Sequence, residues 1–343
     1  MNHLADAWEA LADADPEAAA LRHGGRVRTW REFDDRASRL AQAMVGAGLG
    51  PGSRVMIALY NCSEYLETFF AAIKIRATPA NMNYRYVGRE AQALLEKSRA
   101  VALVYHASLR DRLADVVQGS TTLRFLVEVD DTAEGTRLAG IEDYEELVAA
   151  SAPAPRIARS PDDFVLSFTG GTTGLPKAVV SRIALMTGTA MGLRGLILQE
   201  DIAPDAPVVE TARQLRQAGR SPVGLPASPL MHSTGLGYAS FPSLTAGGCV
   251  VTLPNRSFDA AALLAEVEAA RATTIAIVGD AFARPIVDAL RSRAATGRPH
   301  DLSSLRCIAS AGVAWSAEVK QELLDFLPQV ALCLLYTSDA ADE

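Results

Sequence analysis

The sequence predicts an α/β fold built from two lobes with mostly parallel sheets. Short runs rich in Val, Ile and Leu alternate with longer amphipathic stretches, which is the pattern of strand-helix-strand units. A length of 343 residues with 49% apolar residues allows a full core and about two domains of roughly 150 residues. Disorder is therefore excluded as the main state of the chain.

Turn and cap signals predict the first elements. Residues 19–30 form a hairpin pattern that turns at Gly24 and Gly25. Thr29 and Glu32 make a capping box that begins a helix through Val45, with Gly46 as its expected stop. The apolar runs predict seven strands, at residues 54–59, 101–105, 124–127, 164–168, 249–253, 273–278 and 306–309.

Composition shifts divide the chain. Ser and Pro cluster over residues 151–163, which predicts a linker between a first lobe at 1–160 and a second lobe at 161–333. Residues 199–226 are predicted to form a long polar connection with one short helix. Residues 334–343 end in SDAADE, which is too polar to bury, so they are predicted to be a non-native tail without a packed role.

Charge and hydropathy exclude several classes of protein. The net charge is −7 and the basic residues are scattered, which argues against nucleic acid as a partner. The acidic start has no basic flank or apolar run of a signal peptide. Arg182 and Arg194 interrupt the most apolar stretch, at 178–198, so no transmembrane segment is predicted. The expected location is the cytoplasm.

Cysteine and histidine spacing gives no metal site. The four cysteines are far apart in sequence and form no Cys-x-x-Cys pair, which argues against a zinc cluster or a redox dithiol. They are expected to be reduced and partly buried; they are Cys62, Cys249, Cys307 and Cys333. Four histidines lack ligand spacing and are expected at the surface; they are His3, His23, His106 and His300.

One segment carries a chemical signal, DFVLSFTGGTTGLPKAVVSR at 163–182. A strand pattern ends at Phe168 and is followed by a loop rich in glycine and threonine that ends at Lys177. Glycines let backbone amides turn toward an anion, threonine hydroxyls add donors, and a lysine supplies positive charge. No Gly-Lys-Ser/Thr sequence closes the loop, so it is not a Walker A loop. A plain surface turn is the alternative, and the full nine-residue string favours a phosphate site.

The string resembles the phosphate loop of the acyl-adenylate-forming superfamily, usually Tyr-Thr-Ser-Gly-Thr-Thr-Gly-x-Pro-Lys-Gly. Gly170 stands where Ser is usual and Ala178 where Gly is usual. The segments at 79–98 and 227–251 are also similar to this family. IAIVGDAFARPIVDAL and DLSSLRCIASAGVAWSAEVKQELL resemble synthetases that activate fatty acids or sterol side chains. The resemblance covers about residues 5 to 332 and implies the large N-terminal domain of that fold, truncated at its C-terminus.

The resemblance also implies site residues. Lys177 and His232 are the implied catalytic residues. The implied nucleotide-binding residues are Thr169, Gly170, Gly171, Thr172, Thr173, Gly174, Lys177, Ser310, Ala311 and Gly312. The implied acyl-site residues are His232, Gly235, Val278, Gly279 and Asp280.

Simpler interpretations stay open for three of these positions. A single histidine among apolar residues, such as His232, is more often a core residue than a functional one. Residues 310–312 could be only a tight turn from strand to helix. Asp280 could be the N-cap of a helix over residues 281–291, and we favour that cap.

The resemblance implies an ATP-dependent acyl-CoA synthetase with ATP, Mg²⁺ and coenzyme A as cofactor and co-substrates, and a small carboxylic acid as substrate. The magnesium-linked Glu, the ribose-binding Asp and the C-terminal catalytic Lys of the family find no match, so an inactive fragment is expected. A ligase with a carrier-protein acceptor and a non-catalytic nucleotide-binding fragment are the alternatives. A homodimer is left open.

Overall fold

The computed structural model describes residues 2–131, 135–169 and 177–335. Within it the chain forms two compact units. The first contains Met1–Glu9 and Arg31–Thr187, and the second contains Ala10–Trp30 and Gly188–Glu343. Each unit has its own seven-stranded sheet.

The strands are numbered in chain order. They are β1 (Ala19–His23), β2 (Arg26–Thr29), β3 (Arg54–Ala58), β4 (Thr78–Asn81), β5 (Ala102–His106), β6 (Phe125–Val129), β7 (Glu142–Asp143), β8 (Phe164–Thr169), β9 (Lys177–Arg182), β10 (Val223–Pro226), β11 (Cys249–Thr252), β12 (Thr274–Ile277), β13 (Cys307–Ala311) and β14 (Ala331–Leu335).

The α-helices are numbered in the same way. They are α1 (Leu4–Ala14), α2 (Trp30–Gly46), α3 (Ser63–Lys74), α4 (Arg89–Ser98), α5 (Arg110–Gly119), α6 (Tyr144–Ala150), α7 (Ile183–Gly192), α8 (Arg194–Leu198), α9 (Val208–Gln217), α10 (Ser233–Gly235), α11 (Phe241–Thr245), α12 (Ala260–Ala270), α13 (Gly279–Ala295) and α14 (Ala317–Phe326). A 3₁₀ turn spans Ala107–Leu109 and a π-helix spans Leu236–Ser240. None of the helices in the described part combines the length and apolar character of a membrane span.

The first sheet has the order β7-β6-β5-β3-β4-β8-β9. Its strands are parallel except for the antiparallel pair β8–β9. Among the buried charged side chains of this unit are Lys74 and Glu9; Lys74 donates to Glu9 at 2.7 Å and to the partly exposed Asp34 at 2.5 Å. His3 and His106 are also buried, so the expectation of surface histidines is wrong for these two.

The second sheet has the order β14-β13-β12-β10-β11-β1-β2, parallel except for the hairpin β1–β2. Helices α12, α13 and α14 supply apolar side chains to one core cluster with the strands. Side chains of α8 and α9 pack in another cluster with Cys307 and Ala309. From β10 the chain passes to β11 on one side and then to β12 on the other, so the strand order reverses at β10. In such sheets ligands bind beyond the carboxyl ends of the strands next to this reversal.

The structure confirms the α/β class and most predicted elements. The hairpin turns at Gly24 and Gly25, both with positive φ, and α2 ends at Gly46 as predicted. All seven predicted strands are present within a few residues. The predicted connection 199–226 is wrong at its end, because Val223–Pro226 forms the central strand β10.

The division into two compact units does not fall at residue 160, where the sequence predicts the boundary between the lobes. Strands β8 and β9 extend the first sheet, and β1 pairs with β11 of the second. As a division into functional lobes, 1–160 and 161–333 stays a prediction. Leu334 and Leu335 pair with Ser310 and Ala311, so the first two residues of the predicted tail belong to β14. Residues 336–343 lie outside the described residues.

A close approach at Gly224 fixes the centre of the second sheet. Gly224 pairs with Val250 on one side and Thr274 on the other. A Cβ atom at Gly224 would collide with the carbonyl oxygen of Ala239, in the π-helix, and would lie 2.5 Å from Ser243 Oγ. The strand therefore requires glycine at this position.

We expect Gly224→Ala to lower the free energy of unfolding by about 1–3 kcal/mol, because the added methyl displaces the π-helix. Gly237→Ala is the matched control, since Gly237 lies in the π-helix with nothing within 4 Å of its Cβ position. The control should be neutral or slightly stabilising. Urea unfolding followed by circular dichroism measures both. Equal stability of the two variants would contradict the close contact.

Candidate functional site

The described site residues of the second unit lie where three neighbouring parallel strands end. These strands are β13, β12 and β10, which are adjacent in the sheet. Ser310 and Ala311 end β13, Val278 follows β12, and His232 lies in the segment that follows β10. Residues that are more than 30 positions apart in sequence therefore share one edge of the sheet.

A buried hydrogen bond joins two of these segments. The hydroxyl of Ser310 accepts the backbone N–H of Gly279 at 2.9 Å, and Ser310 has no exposed surface. The bond satisfies an N–H at the start of α13, where no preceding helical turn could accept it. Ser310 thus joins the end of β13 to the start of α13.

Two features of position 279 require glycine. Its φ of +50° is in the left-handed region, and a Cβ atom there would collide with Ala314 O and Val313 Cγ2. Gly312 also has a positive φ, +91°, but only Val278 Cγ1 lies near its Cβ position, at 4.0 Å. Ser310 and Ala311 thus belong to β13, the chain bends at Gly312, and the close packing against Gly279 comes from Val313 and Ala314.

Asp280 does not cap the helix as we favoured from sequence. The helix begins at Gly279 with Val278 as N-cap and no side-chain cap bond. The Asp280 carboxylate instead accepts the N–H of Ser316 at 2.9 Å and pairs with Arg284 at 3.2 Å. The amide of Ser316 and, to a smaller extent, Arg284 hold the pKa of Asp280 below its ordinary value.

His232 is exposed, not a core residue. Its backbone N–H donates to Pro229 O at 3.0 Å, and its own carbonyl accepts the N–H of Gly235 at 3.2 Å. A Cβ atom at Gly235 would lie 2.7 Å from Pro229 O and 3.0 Å from Ser228 O. Glycine at 235 thus permits the tight turn that presents His232 at the surface.

The hairpin β8–β9 carries the ends of the predicted phosphate loop in the first unit. Thr169 and Lys177 are register partners in this antiparallel pair. Lys177 is exposed and makes no ion pair with any described residue. The predicted contacts of Gly170, Gly171, Thr172, Thr173 and Gly174 lie outside the described residues.

Asn81 is a residue that the sequence analysis missed. Its side-chain oxygen accepts the N–H of Phe168 at 2.7 Å, and its amide donates to Phe168 O at 3.4 Å. Asn81 ends β4 and holds β8 one residue before Thr169. The signal in the sequence was an asparagine among apolar residues in the segment 79–98, but its partner could not be read from spacing.

We expect Gly279→Ala to destabilise the protein more than Gly297→Ala. Both glycines have positive φ, +50° and +69°, so both substitutions should cost about 1–2 kcal/mol of backbone strain. Only Gly279 also has backbone and side-chain atoms at its Cβ position, whereas Gly297 has nothing within 4 Å. A further loss of about 1–3 kcal/mol is expected at Gly279 from this overlap. Urea unfolding of both variants checks the difference, and equal losses would contradict it.

The chain matches the model of the AMP-binding enzyme family over residues 8–337. It is 35% identical over 333 residues to the 3-oxocholest-4-en-26-oate–CoA ligase of Rhodococcus rhodochrous, which covers 95% of this chain and 58% of that protein. It is 33% identical over 340 residues to the medium-chain acyl-CoA ligase Mig of Mycobacterium avium, covering 94% and 60%. The chain thus spans less than two thirds of the length of these relatives.

Solved structures show the same fold. The anthranilate CoA ligase in complex with anthranoyl-AMP matches with a TM-score of 0.81 and 19% identity, over 98% of this chain and 59% of that chain. A benzoate CoA ligase from Burkholderia xenovorans matches with a TM-score of 0.76 and 18% identity, over 98% and 61%. The family match over nearly the whole chain, together with this fold, identifies the chain as a member of the AMP-binding enzyme family.

Proposed function

We propose that this chain is the nucleotide-binding and acid-binding part of an ATP-dependent acyl-CoA synthetase. The match of residues 8–337 to the AMP-binding enzyme family carries the proposal. The relatives named above are CoA ligases, and the reversal of strand order beside β12 is a usual location for a ligand site.

The proposed reaction has two steps. A carboxylate oxygen attacks the α-phosphorus of ATP, which releases pyrophosphate and forms an acyl-adenylate. The sulfur of coenzyme A then attacks the acyl carbon, and AMP leaves. Residues 169–174 would hold the departing phosphates with backbone amides and hydroxyls, and Lys177 would stabilise the negative charge that develops on them.

Residues of the second unit are also proposed to contact the nucleotide and the acid. Ser310, Ala311 and Gly312 would line the adenosine. His232 and Gly235 would form a wall near the reacting carboxylate, with 278–280 along the acyl group. The exposed position of His232 and the bond between Ser310 and Gly279 support this assignment, because they give the edge both a reachable polar side chain and a fixed backbone.

Magnesium would enter with the nucleotide. Among the described residues no group of three or more His, Cys, Asp or Glu side chains could hold a metal ion. We propose that Mg²⁺ binds with the phosphates of ATP, where it would neutralise part of their charge. A cytoplasmic location and a homodimeric state stay predictions.

We expect Lys177→Ala to slow acyl-adenylate formation on the order of 10²-fold, equivalent to about 3 kcal/mol of lost charge stabilisation. The measurement is carboxylate-dependent exchange of pyrophosphate into ATP. This assay uses a longer protein, in which this chain is followed by the C-terminal region that the relatives have beyond the matched part. Unchanged exchange would remove Lys177 from the proposed role.

Arg182→Ala is the matched control for this experiment. Arg182 is the last residue of the same strand, β9, and is exposed. Its ion pair with Asp162 has a distance of 3.4 Å. Its loss should leave exchange unchanged, because a surface pair of this kind contributes little. Nucleotide binding without exchange in any variant would favour the non-catalytic alternative. Transfer to a carrier protein in place of coenzyme A would favour the ligase alternative.

The substrate class follows from the charge near the proposed acyl segment. The segment 240–251 has no charged residue and is buried throughout. Asp280 is the one acidic candidate to pair with the amino group of an amino acid, but its carboxylate is occupied by Ser316 and Arg284. This arrangement favours an aliphatic or steroid-type monocarboxylate.

We expect medium to long aliphatic or steroid monocarboxylates to be activated on the order of 10²-fold better than amino acids, since an unpaired ammonium group is costly to desolvate. Pyrophosphate exchange with a panel of acids gives kcat/KM for each. The Asp280→Asn variant keeps the oxygen that accepts from Ser316 and should leave the ratio unchanged. Equal turnover of amino acids, or a ratio that depends on Asp280, would overturn the substrate class.

A further inference from the structure

The fold brings together two cysteines that are 26 residues apart in sequence. Cys307 begins β13, and Cys333 lies in the neighbouring parallel strand β14. Their Sγ atoms are 3.6 Å apart. Cys333 is the register partner of Ala309, so Cys307 lies two residues earlier and on the same face of the sheet. The absence of a Cys-x-x-Cys pair in the sequence did not indicate this contact, which depends on the register of the two strands.

We propose that Cys307 and Cys333 form a redox site in which a hydroperoxide converts the two thiols to an intramolecular disulfide. The site is distinct from the proposed adenylation site, because neither thiol is among the proposed substrate contacts.

The two thiols have different environments. Cys307 has no exposed surface, whereas Cys333 is partly exposed on the last strand of the sheet. The S–H of Cys307 donates to Cys333 Sγ, which lowers the pKa of Cys333 and raises that of Cys307. A thiolate is the form that attacks peroxides. Because a hydroperoxide can reach the partly exposed Cys333 but not the enclosed Cys307, Cys333 is the attacking residue and Cys307 the resolving one.

The steps balance in atoms and electrons. The Cys333 thiolate attacks one peroxide oxygen, the O–O bond breaks, and an alcohol leaves after taking up a proton, which gives a sulfenic acid at Cys333. The Cys307 sulfur then attacks the Cys333 sulfur, its proton goes to the departing hydroxyl, and water leaves. Two thiols are oxidised by two electrons in total, and one hydroperoxide is reduced to an alcohol and water.

The bond requires movement of the backbone as well as of the side chains, because diagonal neighbours on adjacent strands are about 7–8 Å apart and a disulfide joins Cα atoms about 4.4–6.8 Å apart. The sulfurs must close from 3.6 Å to about 2.05 Å, the length of a disulfide bond. Strand β14 is the terminal strand in the described order of the second sheet, next to β13. A diagonal pair on adjacent strands leaves strain in the disulfide, and strained disulfides are more readily reduced. The site should therefore be reversible.

The other two cysteines are internal controls. Cys62 and Cys249 are both buried, and burial raises the pKa of each thiol. In the described part of the chain, only Cys307 and Cys333 bring two sulfur atoms within hydrogen-bonding distance.

The test is peptide mapping of the purified 343-residue protein after limiting cumene hydroperoxide, with free thiols blocked before digestion. Trypsin places the four cysteines on separate peptides, at residues 55–74, 221–256, 307–320 and 321–343. We expect a disulfide-linked pair of 307–320 with 321–343, loss of two thiols per chain, and recovery of both with dithiothreitol. Oxidation of this pair should be at least about tenfold faster than that of Cys249.

Two variants separate the steps, and circular dichroism checks that each is folded. Cys307→Ser should stop at a sulfenic acid on Cys333, which dimedone traps. Cys333→Ser should leave Cys307 unmodified at the same dose. The peptide map of the unsubstituted protein tests the disulfide even if a variant does not fold. The proposal is overturned if the two peptides stay separate while Cys333 is oxidised, if the disulfide joins two chains, or if the link forms only in denatured protein.

Discussion

The approach of the π-helix to Gly224 is the contact on which the second unit depends. Strand β10 has four residues, yet it pairs with β11 on one side and β12 on the other. Because Gly224 has no side chain, the carbonyl of Ala239 can lie directly against the strand. The segment between them is thereby fixed at both ends, and that segment carries His232 and Gly235. Interiors are packed as closely as crystals, so a single Cβ atom here would displace the π-helix at Ala239.

The partners of several residues at this edge could be identified only from the structure. Ser310 is held by Gly279, Asp280 by Ser316, and His232 by the turn over Gly235. Gly279 and Ser316 come from other turns of the chain, whereas Gly235 lies in the same turn as His232. A motif predicts which residues matter, but the sheet order decides which of them share an edge.

The sequence predicted the long apolar strands and the class of fold, because buried parallel strands appear as continuous runs of Val, Ile and Leu. It missed β10 and β4, whose sequences are Val-Gly-Leu-Pro and Thr-Pro-Ala-Asn. Proline and glycine usually indicate turns, and tertiary packing overrides that preference here. The Cys307–Cys333 contact was missed for a related reason, since only the register of β13 and β14 brings the two sulfurs together.

The hairpin at the predicted phosphate loop joins a rigid support to a glycine-rich segment. Asn81 fixes Phe168 through both its oxygen and its amide, and the register pair Thr169 and Lys177 holds the two ends at the spacing of neighbouring strands, about 5 Å. A cation at the end of a paired strand has fewer accessible positions than one within a free loop, so less entropy is lost when it meets a phosphate. The position of Lys177 on β9 therefore supports its proposed role together with its charge.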